Sequence, residues 1–87
     1  MASYKLVFRK SVAKDLRRIP KPDIGRILSR IHALQHDPRP PGSEKLSGQE
    51  RYRMRQCVYR ILYEIADGVL MVTVVKIGHR EQVYETR

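Results

Sequence analysis

Arg51-Tyr52-Arg53-Met54-Arg55-Gln56-Cys57-Val58-Tyr59-Arg60-Ile61-Leu62-Tyr63-Glu64-Ile65-Ala66, then Asp67-Gly68, then Val69-Leu70-Met71-Val72-Thr73-Val74-Val75-Lys76-Ile77, is the stretch that decides the fold. Short runs rich in β-branched and aromatic residues, punctuated by turn residues, read as strands. Residues 51–55, 59–66 and 69–77 are therefore expected as three successive strands. Asp67-Gly68 is a two-residue hairpin signal. Such a turn pairs Ala66 with Val69 and sets Arg60 opposite Val75. In 69–77 both alternating sets are mostly apolar, which marks a strand central in its sheet.

The first hairpin of this stretch has a poorer turn, Gln56-Cys57-Val58. A loop of Cys57-Val58, or one of four residues, sets Arg55 opposite Arg60 and Arg53 opposite Leu62. A loop of odd length rotates the register and changes the face of every side chain. With the even loop, Arg53, Arg55 and Arg60 share one sheet face. Tyr52, Met54, Tyr59, Ile61, Tyr63 and Ile65 share the other, and that face asks for an apolar cover. Like charges directly across an antiparallel pair are unfavourable by some tenths of a kcal/mol. Clustered arginines therefore point to an anion between them, and a phosphate suits a guanidinium fork. The alternative is a solvated basic face with no ligand.

The cover comes from upstream. Residues 4–8 alternate weakly and read as a first strand. Ser11 is placed to cap a helix carrying Val12, Leu16 and Ile19, which Pro20 stops. Pro22 suits the first turn of a second helix, with Ile24, Ile27, Leu28, Ile31 and Leu34 on one face. Asp37-Pro38-Arg39-Pro40-Pro41-Gly42 is a loop, and Lys45-Leu46-Ser47-Gly48 is expected as irregular structure. The element order is β-α-α-β-β-β. The expected class is α+β: an N-terminal strand and a helical hairpin packed on one face of a mostly antiparallel four-stranded sheet.

Composition narrows the partners. The chain has 87 residues with 18 Lys and Arg against 9 Asp and Glu, a net charge of +9. That length suits one domain, residues 1–87, with one modest core. The charge favours a polyanionic partner and opposes the compact state by self-repulsion. No apolar run approaches the roughly 20 residues that span a bilayer, and the first residues lack a signal-peptide pattern. A membrane is therefore not expected as a partner, and the expected location is cytoplasmic. The single cysteine, Cys57, excludes an internal disulfide. His32 and His36 stand four apart on the second helix with no third ligand in view, so no metal or cofactor is expected.

Tyr52-Arg53-Met54-Arg55, Tyr59-Arg60-Ile61-Leu62-Tyr63-Glu64-Ile65, Lys76-Ile77-Gly78-His79-Arg80 and Val83-Tyr84 together resemble the RelE branch of the RelE/ParE toxin superfamily. Lys45-Leu46-Ser47-Gly48 fits as well, and the resemblance covers nearly the whole chain. It implies a type II toxin–antitoxin toxin that enters the ribosome and cuts messenger RNA by attack of a 2′-hydroxyl on the scissile phosphate. It implies Arg60, Arg80 and Tyr84 as catalytic residues and Arg53, Arg55, His79 and Lys45 as RNA-binding residues. The first basic pair is often lysine in such toxins. Here it is arginine, which does not lose a proton in practice, so Arg53 and Arg55 are left as phosphate clamps. Guanidinium groups near Tyr84 would favour its phenolate and make it a base; His79 takes an auxiliary place. The implied partners are an acidic antitoxin, in a possible toxin–antitoxin heterotetramer, and messenger and ribosomal RNA. The alternatives are a ParE-like toxin acting on gyrase and a non-catalytic RNA-binding module.

Overall fold

A computed structural model describes residues 3–46 and 51–79. Arg80 and Tyr84, and Ser47 and Gly48, lie outside the described residues. The elements run β1 (Lys5–Phe8), α1 (Lys10–Arg17), α2 (Lys21–Ala33), β2 (Glu44–Lys45), β3 (Arg51–Gln56), β4 (Tyr59–Ala66) and β5 (Met71–His79). The class is α+β, as the sequence suggests. The sheet has five strands in the order β1-β5-β4-β3-β2. β1 runs parallel to β5, and the other pairs are antiparallel.

The helical pair covers one face. Val12, Ile19, Ile27, Ile31 and Leu34 pack with Tyr52, Met54, Ile61, Tyr63, Ile65, Val72, Val74 and Ile77 in a single buried cluster. This is the period-3.6 face of the helices meeting the period-2 face of the strands. Pro22 lies in the first turn of α2, with Pro20 at its N-cap. None of the helices among the described residues is long and apolar enough to cross a membrane.

Four local expectations change. Ser11 is not a cap: α1 begins at Lys10 with Arg9 at the N-cap and no side-chain cap bond. The Ser11 hydroxyl instead donates to the Val75 carbonyl at 3.3 Å. Glu44–Lys45 is not irregular but a short edge strand, with Glu44 opposite Arg53 and Lys45 opposite Tyr52. The Asp67-Gly68 turn is wider than two residues. Asp67–Val69 forms a 3-10 turn and Leu70 adopts a left-handed conformation at φ 50°. Ala66 therefore pairs with Met71. Finally, the β4–β5 ladder shifts between Leu62 and Tyr63, where Val75 is left over as a bulge, so Arg60 faces Gly78 and not Val75.

Side-chain bonds explain both departures in the last hairpin. Arg39, from the proline-rich loop, donates to both Asp67 carboxylate oxygens, at 3.3 and 2.8 Å, and through Nε to the Tyr52 hydroxyl at 3.1 Å. The Tyr4 hydroxyl donates to Asp67 at 2.7 Å. Asp67 thus faces a loop arginine and an N-terminal tyrosine, which a tight turn would not allow. At the bulge, Asp15 of α1 accepts the backbone N–H of Ile77 at 3.0 Å, and the Lys76 ammonium lies 3.5 Å away.

Tyr63 ties the same loop to the core. It is fully buried, stacks on Tyr52 with centroids 5.8 Å apart, and donates its hydroxyl to the Pro38 carbonyl at 2.9 Å. Burial pushes its pKa up to about 12, so it stays a donor at neutral pH. Tyr63→Phe keeps the ring and orphans a carbonyl. It is expected to cost about 1–2 kcal/mol in urea denaturation.

Asp67 gives a pH signature. The Arg39 hydrogen bond, with help from Tyr4, holds its carboxyl below the ordinary value. A lowered folded pKa stabilises fully above the unfolded value, about 4, and the benefit is lost as pH falls through the folded value. Asp67→Asn is expected to be less stable than wild type at pH 7 and equal to it near pH 2. Denaturation curves at the two pH values check this; a difference that persists unchanged in acid would assign the effect to packing.

Candidate nucleic-acid interface

The face of the sheet away from the helices carries the arginines. In the β3–β4 ladder Arg51 faces Glu64, Arg53 faces Leu62 and Arg55 faces Arg60. The loop between the strands is Cys57-Val58, with Cys57 at φ 55°. The even-loop register therefore holds, and Arg53, Arg55 and Arg60 share one face, with buried Leu62 as an apolar floor. Opposite Arg60 on the next strand stands Gly78, which offers no side chain to cover it.

Carboxylates divide this face. Glu64 pairs with Arg51 at 2.8 Å and with Arg9 at 3.5 Å. Glu44 pairs with Arg53. Among the described residues, no carboxylate forms an ion pair with Arg55 or Arg60, and the Nε of Arg60 is buried without a hydrogen-bond partner. The uncompensated positive charge is thus concentrated at the Arg55–Arg60–Gly78 end. The Arg53 hydrogen bond, then its charge, lowers the Glu44 carboxyl; Arg55 and Arg60 add smaller pulls. Glu44 is therefore an anion held within the field of all three arginines.

The other site residues read from the sequence are spread around this end. Lys45 neighbours Glu44 on β2, but the register puts it opposite Tyr52, on the helical side. His79 pairs with Tyr59, and their rings meet edge to face with centroids 6.1 Å apart. This is also the helical side, where a cleft of about 430 Å³ is lined by Asp15, Arg18, Ile19, Lys76 and Ile77 beside Tyr59 and His79. Tyr59 donates to Asp23 at 3.3 Å, and burial, followed by the Asp23 charge, raises its pKa. It is therefore held as a neutral phenol. Arg80 and Tyr84 follow His79 in the chain, outside the described residues.

Two participants escaped the sequence reading. Glu44 gave no signal because a two-residue edge strand has no readable period. Arg30 sits on α2, three residues after core Ile27, where helical patterning assigns it to the border of the packed face. Its guanidinium reaches past the end of β2 and donates to the Arg55 carbonyl at 3.3 Å. Together Arg30, Gly42, Glu44, Arg53 and Arg55 line a cavity of about 320 Å³ at the sheet edge.

A surface of this kind can bind and polarise a phosphodiester. Solved structures share the fold. A chain of a RelBE toxin–antitoxin complex from Mycobacterium tuberculosis is 23% identical, with a TM-score of 0.81 over 92% of this chain and 94% of that one. The archaeal RelE–RelB complex from Pyrococcus horikoshii gives 26% identity and a TM-score of 0.82 over 93% and 99%. A mutant of the E. coli toxin RelE in the free state gives 23% and 0.78 over 93% and 87%. No curated protein matches the chain. The family model for the ParE toxin of the type II toxin–antitoxin system parDE matches residues 6–84. The chain belongs to this toxin family, within the RelE/ParE superfamily.

Proposed function

We propose that this toxin is an endoribonuclease that cuts messenger RNA on the ribosome, without a metal. The observation that carries the reading is the Arg55–Arg60 pair, set directly across two strands with no carboxylate between them among the described residues. Such a pair costs stability and is compensated when a phosphate lies between the guanidinium groups. The likeness of the fold to RelE supports the choice of substrate.

In the proposed reaction the ribose 2′-oxygen attacks the adjacent phosphorus, and the bond from phosphorus to the 5′-oxygen breaks. The 2′-proton passes to Tyr84 as phenolate, and the leaving 5′-oxygen takes up a proton from water. The products are a 2′,3′-cyclic phosphate, or the 3′-phosphate that its hydrolysis by water gives, and a 5′-hydroxyl. Arg60 and Arg80 neutralise the extra charge of the transition state, while Arg53 and Arg55 position the strand. His79 and Lys45 lie on the helical side of the sheet, so they contact RNA only where the strand wraps the sheet edge. A site with so few acid–base groups relies on orientation, which the ribosome supplies by holding the messenger in place. The partner in the resting cell is an acidic antitoxin that covers the arginine face; the relatives in complex with RelB support this.

The family model's own description, a ParE toxin, favours a second reading: a toxin that acts on gyrase through protein contacts and needs no nuclease site. A non-catalytic RNA-binding module is the third. Cleavage and ribosome affinity, measured separately, divide the three. Arg60→Ala and Arg80→Ala are expected to slow single-turnover cleavage by about 10²–10³, with ribosome affinity much less changed. Tyr84→Phe is expected to slow it by about 10²–10⁴ while the protein stays folded. Wild-type cleavage by Tyr84→Phe would rule out Tyr84 as the base. Absence of cleavage by the parent on translating ribosomes would sink the nuclease and advance the ParE-like reading.

Salt provides an independent check. If phosphates carry the binding, the log–log slope of RNA affinity against salt is about −0.7 per contact for single strands, and Arg55→Ala makes it shallower by about that amount. An unchanged slope in Arg55→Ala would remove that residue from the interface.

A further inference from the structure

The cavity at the β2–β3 edge already contains an anion, and it belongs to the chain. Glu44 stands opposite Arg53 in the two-residue strand β2, and its carboxylate pairs with the Arg53 guanidinium. Arg55 and Arg30 complete the wall. The Arg30 Nε is buried with no hydrogen-bond partner, although its terminal nitrogen holds the Arg55 carbonyl. The cavity wall therefore sets three guanidinium groups against one carboxylate.

The Glu44 side chain is 63% exposed, whereas that of Arg53 is 26% exposed. The arginine lies within the wall and the carboxylate is the more solvent-accessible partner. Among the described residues β2 pairs with β3 at two positions, and moving the Glu44 side chain breaks neither. A tethered carboxylate competes with any free anion at high effective concentration. It also lowers the like-charge repulsion among Arg53, Arg55 and Arg60 while no ligand is bound.

We propose that Glu44 is a built-in competitor for phosphate: its carboxylate holds the place on Arg53 that an RNA phosphate takes, and the phosphate must displace it. The inference rests on the RNA reading above for its ligand. It assigns Glu44 a role opposite to that of the arginines. Removing it tightens anion binding, although it removes a favourable contact from the folded protein. Arg53 thereby becomes a clamp that is closed until a polyanionic strand, held also by the neighbouring arginines, arrives.

The test is titration of inorganic phosphate into the full chain, followed by NMR on the arginine side-chain Nε–Hε signals. Wild type is compared with Glu44→Gln and with Glu64→Gln. The second variant removes the same charge from the same sheet face, but at the Arg51–Arg9 end. Because an exposed ion pair is a modest competitor, Glu44→Gln is expected to bind phosphate about three- to five-fold more tightly, with shifts at Arg53 and Arg55. Glu64→Gln should stay within two-fold of wild type. Glu44→Asp, which keeps the charge but retracts it by one methylene, is expected to fall between, and it stands in should the glutamine variant not fold.

Equal tightening in both glutamine variants would reduce the effect to net charge and overturn the proposal. So would unchanged or weaker binding in Glu44→Gln. Cleavage on translating ribosomes is read in parallel. Tighter phosphate binding in Glu44→Gln with no cleavage by wild type would leave the competition standing and remove the nuclease.

Discussion

The carboxylate of Asp15 accepts the backbone N–H of Ile77 at 3.0 Å, across 62 positions of sequence. Around that bond α1 is fixed to the one irregular point of the longest strand. Arg9 donates its backbone N–H to the Val74 carbonyl at 3.0 Å, and the Ser11 hydroxyl bonds the Val75 carbonyl. The three contacts surround the residue that the β4–β5 ladder leaves unpaired. A bulge reverses which side of the sheet each later residue faces. Before it, even-numbered Val72 and Val74 enter the core; after it, odd-numbered Ile77 does. Without the reversal, Gly78 would take the core side and His79 the arginine side. With it, glycine stands opposite Arg60 and the imidazole stands beside Tyr59. The open end of the arginine face is thus a consequence of a helix side chain on the other side of the sheet.

The charge distribution follows the same geometry. Three arginines alternate along β3, and each meets a different neighbour. Arg51 meets Glu64, Arg53 meets Glu44 from the edge strand, and Arg55 meets Arg60. Neutralisation therefore fades along the strand toward Gly78. Exposed ion pairs contribute little stability each, so Glu64 and Glu44 matter less for holding the sheet together than for concentrating the uncompensated charge. A face with all its arginines unpaired would bind anions anywhere along its length. Among the described residues, this one gathers its unpaired charge at one end.

Much of this was legible in the sequence because it rests on period. The helical cover, the inward set from Tyr52 to Ile65 and the Arg55–Arg60 pairing all follow from spacing of 3.6 or 2. The even register was one of two that the poor turn Cys57-Val58 left open, and the structure adopts it. Its left-handed Cys57 shows that packing of the flanking strands, and not the turn, selects the loop. What stayed illegible rests on contacts between distant residues. The Asp67 turn widens because Arg39 and Tyr4 bind its carboxylate. The bulge depends on Asp15. β2 exists because β3 offers an edge, and Arg30 reaches the site only because β2 stops short of Arg55. The resemblance named Arg53, Arg55 and Arg60 as a set, but not the carboxylate that divides them.

The proline-rich loop connects these two levels. Pro38 is held by the buried Tyr63 hydroxyl, and Arg39 grips Asp67 while its guanidinium lies 5.3 Å from the Tyr52 ring centroid. Tyr52 and Tyr63 are opposed across β3 and β4 on the core side, and each alternates with a residue of the arginine face. The loop is therefore anchored to the backs of the strands that carry the arginines. A few residues later the same loop delivers Glu44 to their fronts. A competing carboxylate is effective only if its tether is short and its attachment firm. The Tyr63 and Arg39 bonds supply the attachment, and Gly42, at φ 94°, supplies a bend that a side chain would resist. The core thus determines how closely an acidic side chain is kept to the arginines.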